Sequence, residues 1–377
     1  MKKWLGIITA LCLLLSAAPA LSEDSLGYAC GSNHAGFITA KGNLYMVGWN
    51  AYGQAGVAPN EEGRGDSVYG MTRATLSVTQ VSLGFWHSLS LNAHGNVFAW
   101  GRNAYGQVGN GLADGLDVLT PTHLPQLRHI VQIAAGDESS FALDQNGTVW
   151  AWGRNARGQL ALGHMKNQYA PTPVPSLTNV AQIFAGERNS AFLLQDGSFW
   201  MAGENTKGQL CLDWSVDYAA TPVLMGLENV VTMDIGDFHA AAVTTDGSLY
   251  MWGDNAYGQL GMGDAAVGQS FNTPQLIMTG VRSVALGDYQ TFVITQDNLL
   301  YAFGRNDLGQ LGVGDKVQRN APVQMLSDVL SVRSGFSFAI AKTLGGEYLG
   351  WGKGDLGQLG PGAKSFNLTP IIVKAYQ

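Results

Sequence analysis

The octapeptide Trp100-Gly101-Arg102-Asn103-Ala104-Tyr105-Gly106-Gln107 decides the fold of this chain, because its pattern returns along the whole sequence. The pattern is an aromatic residue, Gly, any residue, Asn, two further residues and Gly-Gln, usually followed by Leu-Gly. Its copies, some with one position altered, end at Gln54, Gln107, Gln159, Gln209, Gln259, Gln310 and Gln358. The spacings between these glutamines are 53, 52, 50, 50, 51 and 48 residues. A regular period of this length indicates an array of repeated structural units.

The residues around each octapeptide have the composition of short β-strands. In the second copy, residues 81–84, 87–91 and 97–100 are apolar or alternating runs separated by Gly-containing turns, and a fourth run begins at Thr120-Pro121. Tight turns such as Asp196-Gly197 suit hairpins that need a positive φ. Four strands in about 50 residues, written seven times, predict an all-β fold: a seven-bladed β-propeller.

The two ends of the chain are expected to meet. Residues 369–373 match the fourth strand of the other units, so we predict that the N- and C-terminal segments close the ring beside the first blade. Cys30 and Cys211 are about three and a half repeats apart, which places them on nearly opposite sides of a seven-membered ring. Since a disulfide needs Cα atoms within ~7 Å, we expect two free thiols.

The N-terminal sequence and the net charge limit the compartment and the kinds of partner that we expect. Lys2 and Lys3, an apolar stretch at residues 5–15 and Ala18-Pro19-Ala20 form the three parts of a secretory signal peptide. We predict cleavage of residues 1–20, leaving 21–377 as one propeller domain that is secreted or held at the cell envelope. The net charge of −7 and the lack of a basic run predict no nucleic-acid partner. No second apolar run spans a bilayer, so we expect no membrane insertion, and we expect a monomer.

The string Trp-Gly-x-Asn-x-x-Gly-Gln-Leu-Gly, preceded by Gly-x-x-His and an Asp-Gly turn, resembles the repeat of the regulator-of-chromosome-condensation family. The resemblance covers residues 28–377. WD repeats would end strands in Trp-Asp and kelch repeats would show Gly-Gly doublets, and neither is systematic here. The family fold is a seven-bladed propeller, which agrees with the count of repeats.

Strand direction places the Gly-x-x loops and the Asn-x-x-Gly-Gln loops at the same end of every blade. The residues after each Gly vary between copies, and many are aromatic or acidic, a mixture typical of protein interfaces. The candidate binding residues are Phe85, Trp86, Tyr105, Asp137, Glu138, Asp237, Phe238, Tyr257, Asp288 and Tyr289. A structural alternative is that loop tyrosines such as Tyr105 and Tyr257 only pack across neighbouring blades.

Neither metal binding nor catalysis is indicated. His34, His87 and His239 occupy one equivalent position, where other copies have Ser139, Asn189, Gln290 and Phe338. We interpret these histidines as hydrogen-bonded to the next blade, and we predict no metal and no cofactor. Residues 352–357 satisfy Gly-x-Gly-x-x-Gly, but they are the seventh repeat and no helix follows. A carboxylate pair among Asp137, Glu138, Glu187 and Asp237 leaves an enzyme as an alternative, although we expect none.

We predict an extracellular or envelope protein-binding module of unidentified partner. The resemblance implies two alternatives. One is inhibition of a β-lactamase-like or other extracellular enzyme, since a secreted bacterial relative has aromatics in the same turns; Arg188 and Lys207 depart from that pattern. The other is guanine-nucleotide exchange on a small GTPase, as in the founding nuclear member. That activity uses a Gly-x-Asp-His turn and an inserted loop, whereas residues 136–139 lack the His and the spacings leave no room for an insertion.

Overall fold

The computed structural model describes residues 27–57, 67–75, 77–360, 363 and 365–373. These residues form seven antiparallel sheets of four strands each, and in every sheet the strands follow one another in chain order from the centre outwards. The predicted signal peptide lies outside the described residues. Within the described part, the single helical element is a 3-10 turn at Asp264–Ala266, and no helix is long and apolar enough to span a bilayer. The prediction of an all-β, seven-bladed propeller is confirmed.

In the described residues, twenty-eight strands build the seven blades. Blades 1 to 3 contain β1 (Tyr28–Cys30), β2 (His34–Ile38), β3 (Leu44–Trp49), β4 (Ser67–Thr75), β5 (Val78–Leu83), β6 (His87–Asn92), β7 (Val97–Gly101), β8 (Val118–His123), β9 (Ile130–Ala135), β10 (Ser139–Asp144), β11 (Val149–Gly153) and β12 (Gln168–Pro173). Blades 4 and 5 contain β13 (Val180–Ala185), β14 (Asn189–Leu194), β15 (Phe199–Glu204), β16 (Tyr218–Leu224), β17 (Val230–Ile235), β18 (His239–Thr244), β19 (Leu249–Asp254) and β20 (Ser270–Met278). Blades 6 and 7 contain β21 (Val281–Leu286), β22 (Gln290–Thr295), β23 (Leu300–Gly304), β24 (Arg319–Leu326), β25 (Val329–Ser334), β26 (Phe338–Thr343), β27 (Tyr348–Lys353) and β28 (Phe366–Ile372).

The core is divided among the seven junctions between blades. The described residues form seven apolar clusters, and each combines side chains of two neighbouring blades. In one, Phe141 of blade 3 packs against Phe192 of blade 4, with ring centroids 6.2 Å apart. Each blade is therefore a wedge that is stabilised by burial against both neighbours.

The repeated motif ties each blade to the next. Trp152 is fully buried, and its indole Nε1 donates to the backbone carbonyl of Gln107 in the preceding blade, 2.9 Å away. The same bond recurs from Trp100, Trp252 and Trp351. The Gln side chain has a different partner, because its Oε1 accepts the backbone N–H two residues earlier in its own loop, as in Gln107 with Tyr105. The motif Asn closes the same loop, with Asn103 Oδ1 accepting from Val108 N.

The repeated histidines are structural. His87 Nε2 lies 2.8 Å from Ser140 Oγ of the next blade, and Ser140 donates to the carbonyl of Gln107. His34 and His239 make the corresponding contacts with Ser88 and Thr291. Each His is therefore hydrogen-bonded across a blade junction, as predicted from the polar residues that replace it in other copies.

The ring closes by packing between blades 7 and 1, and among the described residues no sheet combines strands from the first and the last blade. Val373, which follows β28, lies in an apolar cluster with Tyr28 and Phe37 of blade 1. Tyr28 also lies 3.0 Å, hydroxyl to hydroxyl, from Ser331 of blade 7. Cys30 and Cys211 are both free thiols. Both sequence expectations are thus confirmed.

Two sets of loops share one end of the propeller, which we call the loop face. The residue that follows each motif Gly donates its backbone N–H to the second residue after the Gly of the Gly-x-x loop; Arg102 N and Trp86 O are 2.8 Å apart. Glycine is required where the blades converge on the axis, since a Cβ on Gly136 would lie 2.3 Å from the carbonyl oxygen of Gly186. The seven inner strands enclose a central cavity of about 230 Å³ that opens at this end.

Candidate functional site: the loop face

The first residue after each of the seven loop glycines sits at the mouth of the central cavity or beside it. In chain order these residues are Ser32, Phe85, Asp137, Glu187, Asp237, Asp288 and Phe336. The position is therefore acidic in blades 3, 4, 5 and 6, and small or aromatic in blades 7, 1 and 2. Since the backbone is the same in all seven, the chemistry of the mouth is set by these side chains alone.

We call Asp137, Glu187, Asp237 and Asp288 the acidic arc. One carboxylate oxygen of each of the first three lies within 4.8 Å of the other two. The carboxyl groups of Asp237 and Asp288 are in contact. Burial raises the pKa of Asp288, and the neighbouring charges of Asp237 and Asp137 raise it further. The pKa values of Asp137, Glu187 and Asp237 are also raised, chiefly by burial. The sequence placed these acids on one face, and the structure brings them together.

The fourth predicted acid in the Gly-x-x loops, Glu138, does not join the acidic arc. Its carboxylate pairs with Arg154 and lies 3.8 Å from Arg102. In blade 4, Arg188 pairs with Glu187 at 2.9 Å and with Glu204 at 3.2 Å. Two arginines therefore hold the Glu138 carboxylate in ion pairs, and its part in an acid–base pair stays an untested alternative.

Five aromatic residues of blades 7, 1 and 2 form what we call the aromatic cluster: Trp49, Tyr52, Phe85, Trp86 and Phe336. Trp86 is its centre, with ring centroids 4.4 Å from Phe85, 5.6 Å from Tyr52 and 6.4 Å from Trp49. Phe85 also lies 5.9 Å from Phe336 across the mouth of the ring. All five are half-buried. The cluster is thus a continuous aromatic surface that still reaches solvent.

A second group, which we call the stacked cluster, consists of Phe238, Tyr257 and Tyr289 in blades 5 and 6. Tyr289 stacks on Phe238 at 6.0 Å and meets Tyr257 at 4.9 Å. Arg305 covers Tyr257 at 5.2 Å. The remaining predicted aromatic, Tyr105, lies apart from both clusters beneath Arg154, 4.9 Å from the guanidinium. The ten predicted residues therefore divide among two aromatic groups, the acidic arc and the pairs made by Arg154.

Sequence reasoning missed the residue between the motif Gly and Asn, which it treated as free to vary. In the seven copies it is Trp49, Arg102, Arg154, Glu204, Asp254, Arg305 and Lys353. Arg102 lies over Trp86 at 4.3 Å and Arg305 over the stacked cluster. The available signal was strand pairing, because this residue must lie beside the variable Gly-x-x loop. These side chains orient the aromatic groups through cation–π contacts.

A groove of about 360 Å³ runs along the loop face beside the aromatic cluster. Its lining includes the aromatic residues Phe85 and Trp86 and the basic residues Arg157 and Arg188. The indole Nε1 of Trp86 is buried and has no hydrogen-bond partner among the described residues. The groove therefore combines aromatic side chains with guanidinium groups.

Comparison with known proteins places the chain in a family. The profile of the RCC1-like domain matches residues 16–278, and profiles of the regulator of chromosome condensation (RCC1) repeat match residues 297–341 and 281–310. The probable E3 ubiquitin-protein ligase HERC6 of Homo sapiens is 37% identical over 136 residues, which are 36% of this chain and 13% of the ligase. The ultraviolet-B receptor UVR8 of Arabidopsis thaliana is 34% identical over 140 residues, 36% of this chain and 30% of the receptor.

Solved structures show the same fold. Prp20p from Saccharomyces cerevisiae superposes with a TM-score of 0.79 at 23% identity, covering 94% of this chain and 89% of that chain. Human WBSCR16 superposes with a TM-score of 0.75 at 24% identity, covering 84% and 86%. The matches to the ligase and the receptor span less than a third of those proteins. With a family profile over most of its length, this chain belongs to the RCC1-like domain family.

Proposed function

We propose that this chain is an exported protein-binding module whose contact surface is the loop face and whose anchor is the aromatic cluster. One observation carries the proposal: five aromatic side chains form a continuous, half-buried surface that the scaffold does not require. The blade junctions are already filled by buried residues such as Trp100 and Trp152. At the position of Trp86, blade 3 has Glu138 and blade 4 has Arg188, so the fold tolerates charge there.

The chemistry of the cluster fits a protein partner. Trp, Tyr and Arg are the residues most often responsible for binding energy in protein interfaces, where they sit in apolar patches with a polar rim. Trp86 has both qualities, with Phe85 and Tyr52 around it and Arg102 above it. Prp20p, which has the same fold, has binding properties to Gsp1p and histones. The proposal is therefore binding rather than catalysis.

Export rests on the N-terminal sequence. Lys2, Lys3, the apolar residues 5–15 and Ala18-Pro19-Ala20 have the order and length of a cleavable signal. The intact mass of protein recovered outside the cytosol tests this directly: we expect a chain that begins at Leu21. Recovery of the full-length chain in the cytosol alone would refute export and leave the binding proposal standing.

The binding test uses the repeats themselves as a source of substitutions. Replacing Phe85→Ser and Trp86→Asn gives blade 2 the residues that blade 1 carries as Ser32 and Asn33, so the loop backbone is preserved. Trp214→Ala is the matched control, because Trp214 is 52% exposed and lies outside the aromatic cluster. Each protein is immobilised and incubated with envelope and culture-medium extracts, after its cooperative melting has been confirmed.

The proposal expects a protein that is retained by the parent and by the Trp214→Ala variant and lost from the double variant. Equal retention by the double variant would exclude the aromatic cluster as the anchor. Retention of nothing by the parent, in extracts from the organism and from cells that it contacts, would contradict a protein-binding function.

A further inference from the structure

Arg157, in the groove beside the aromatic cluster, is a basic side chain that the scaffold does not require. It occupies the position before the motif Gly-Gln, where five of the other six blades have tyrosine or leucine. Its backbone N–H bonds the side chain of Gln159, as the equivalent N–H of Tyr105 bonds Gln107. Among the described residues its guanidinium makes no hydrogen bond, and its single ion pair, with Glu204, has a separation of 3.9 Å. The loop therefore folds without any contribution from this guanidinium.

Glu204, the acid nearest to Arg157, has other partners. Its Oε2 accepts from the guanidinium of Arg188 at 3.2 Å, and its Oε1 accepts from the hydroxyl of Thr206 at 2.9 Å. The buried carboxylate is thus paired with a cation and hydrogen-bonded without Arg157. An arginine side chain carries five N–H donors in a planar fork, and those of Arg157 are left for a group outside the protein.

The groove exposes its bases and keeps its acids beneath them. Three arginines in its lining have 34% to 49% of their side chains exposed: Arg154, Arg157 and Arg188. The acids Glu138 and Glu187 are only 13% and 19% exposed. Burial and neighbouring acids raise the pKa of Asp137, the third acid of the lining, which reduces its negative charge. An approaching molecule therefore meets guanidinium groups first, although the net charge of the chain is −7.

We propose that the groove receives an acidic segment of a partner protein, with one carboxylate paired to Arg157 and an adjacent apolar side chain packed against Phe85 and Trp86. This inference rests on the proposed binding function and specifies the chemistry of the partner. An arginine fork binds a carboxylate through two parallel N–H···O bonds, which gives both energy and direction. The two aromatic residues line the same groove and supply the apolar contact. Its volume of about 360 Å³ is that of a pocket for a small ligand, so it holds a few side chains of a segment.

The same groove does not suit a chain of phosphates. Binding to a nucleic-acid backbone depends on several bases that each neutralise a phosphate. Here Arg154 and Arg188 are already bonded to the acids beneath them, and the net charge of −7 opposes a long polyanion. A short segment with one carboxylate directed at Arg157 avoids that repulsion, because the rest of its contact is apolar.

The test begins with a displayed library of short random peptides, selected on the immobilised full mature chain. The most enriched peptide is synthesised with a fluorescent label, together with a counterpart in which amides replace its carboxylates. Fluorescence anisotropy at physiological ionic strength gives the Kd of both. We expect enrichment of aspartate or glutamate next to leucine, phenylalanine or tryptophan. The amide counterpart should bind about tenfold more weakly, the effect of losing a hydrogen bond between charged groups.

Arg157→Ala should weaken binding of the selected peptide about tenfold, and Arg157→Lys should restore only part of it, because lysine has no planar fork. Lys207→Ala is the matched control and should leave the Kd unchanged. Lys207 has the same motif position in blade 4, pairs with Asp254 and lies outside the groove lining. These side chains are half-exposed, so all three variants are expected to fold, and cooperative melting checks this.

Three results would overturn the proposal: selection of no peptide, equal binding of the amide counterpart, or unchanged binding to the Arg157→Ala variant. The binding proposal is judged separately, by the retained protein. A protein that is retained by Arg157→Ala and lost from the variant with Phe85→Ser and Trp86→Asn would overturn the acidic segment and leave the aromatic cluster as the anchor.

Discussion

The two halves of the loop face differ in chemistry although their backbones are equivalent. In blades 7, 1 and 2 the first residues after the loop Gly are Phe336, Ser32 and Phe85, next to the aromatic cluster. In blades 3 to 6 the same position is always acidic, and these carboxylates make up the acidic arc. Blade pairing, the motif loops and the cavity are common to both halves. The comparison shows that this propeller separates the residues that build the blades and their junctions from those that vary along the loop face.

The largest expected effect on stability comes from a comparison of two tryptophans, Trp152 at a blade junction and Trp86 on the loop face. Trp152→Ala should lower the free energy of unfolding by about 3–5 kcal/mol, because it empties a fully buried site and removes the bond to Gln107. Trp86→Ala should lower it by about 1 kcal/mol, since Trp86 is half-buried. Urea unfolding measures both. Similar losses from the two variants would show that the aromatic cluster belongs to the scaffold.

The next largest effect is a pH dependence of stability that arises from the buried histidines at the blade junctions. Burial lowers the pKa of His87 to about 4, from a usual value near 6.5. Because the pKa of His87 is lower in the folded protein, this side chain does not reduce the free energy of unfolding above pH 6.5. As the pH falls towards 4, the unfolded chain binds the proton first and the folded state loses stability. Replacing His87→Gln, the residue that blade 6 uses as Gln290, should remove about 2 kcal/mol of that loss at pH 4.5.

Unfolding free energies of the parent and the His87→Gln variant at pH 7.5 and pH 4.5 provide the measurement. The two proteins should differ little at pH 7.5, and the variant should retain more of its stability at pH 4.5. Parallel losses in the two proteins would mean that His87 is not responsible for the acid sensitivity.

The acidic arc should produce a smaller pH dependence of stability in the opposite direction, with stability falling as the pH rises. Burial and neighbouring acids raise the pKa of Asp237. When the pKa of a carboxyl group is raised in the folded state, the protein has its full stability below pH 4 and loses part of it as the pH rises. Asp237→Asn should therefore stabilise the protein by about 1 kcal/mol at pH 7.5 and by nothing at pH 3.5. Destabilisation at pH 7.5 would show that the ionised carboxylate is satisfied inside the protein.

The smallest effect concerns the contact between the two halves. Arg102 lies over Trp86 in the aromatic half and 3.8 Å from Glu138 in the charged half. Both contacts are partly exposed, so Arg102→Gln should destabilise the protein by less than about 1 kcal/mol. It should nevertheless change the fluorescence of Trp86, whereas Arg305→Gln, over the stacked cluster, should leave that signal unchanged. A loss above about 2 kcal/mol would assign Arg102 to the framework.

The sequence predicted what the repeats share. Seven octapeptides gave the number of blades, and the polar substitutes of His87 gave its role at the junction. The free state of Cys30 and Cys211 followed from counting repeats. These features depend on local patterns or on the order of blades around the ring, and both can be read from one chain.

What the sequence left open depends on distances between blades. Whether Asp137, Glu187 and Asp237 converge is decided by the radius of the ring at its mouth, which no spacing along the chain gives. The contact of Arg102 with Trp86 depends on side-chain direction at a position where the motif tolerates any residue. The motif does not reveal either how Gln107 is used: its backbone carbonyl bonds the next blade and its side chain bonds its own loop.

Hydrogen–deuterium exchange of the chain, alone and with the protein that it retains, tests most directly whether the loop face is the binding surface. We expect slowed exchange at residues 31–34, 84–87 and 335–338, the Gly-x-x loops of the aromatic half. Turns at the opposite end of the propeller, such as residues 93–96 and 145–147, should exchange as in the free chain. Protection confined to those turns, with the three loops unchanged, would contradict the central claim that the loop face is the binding surface.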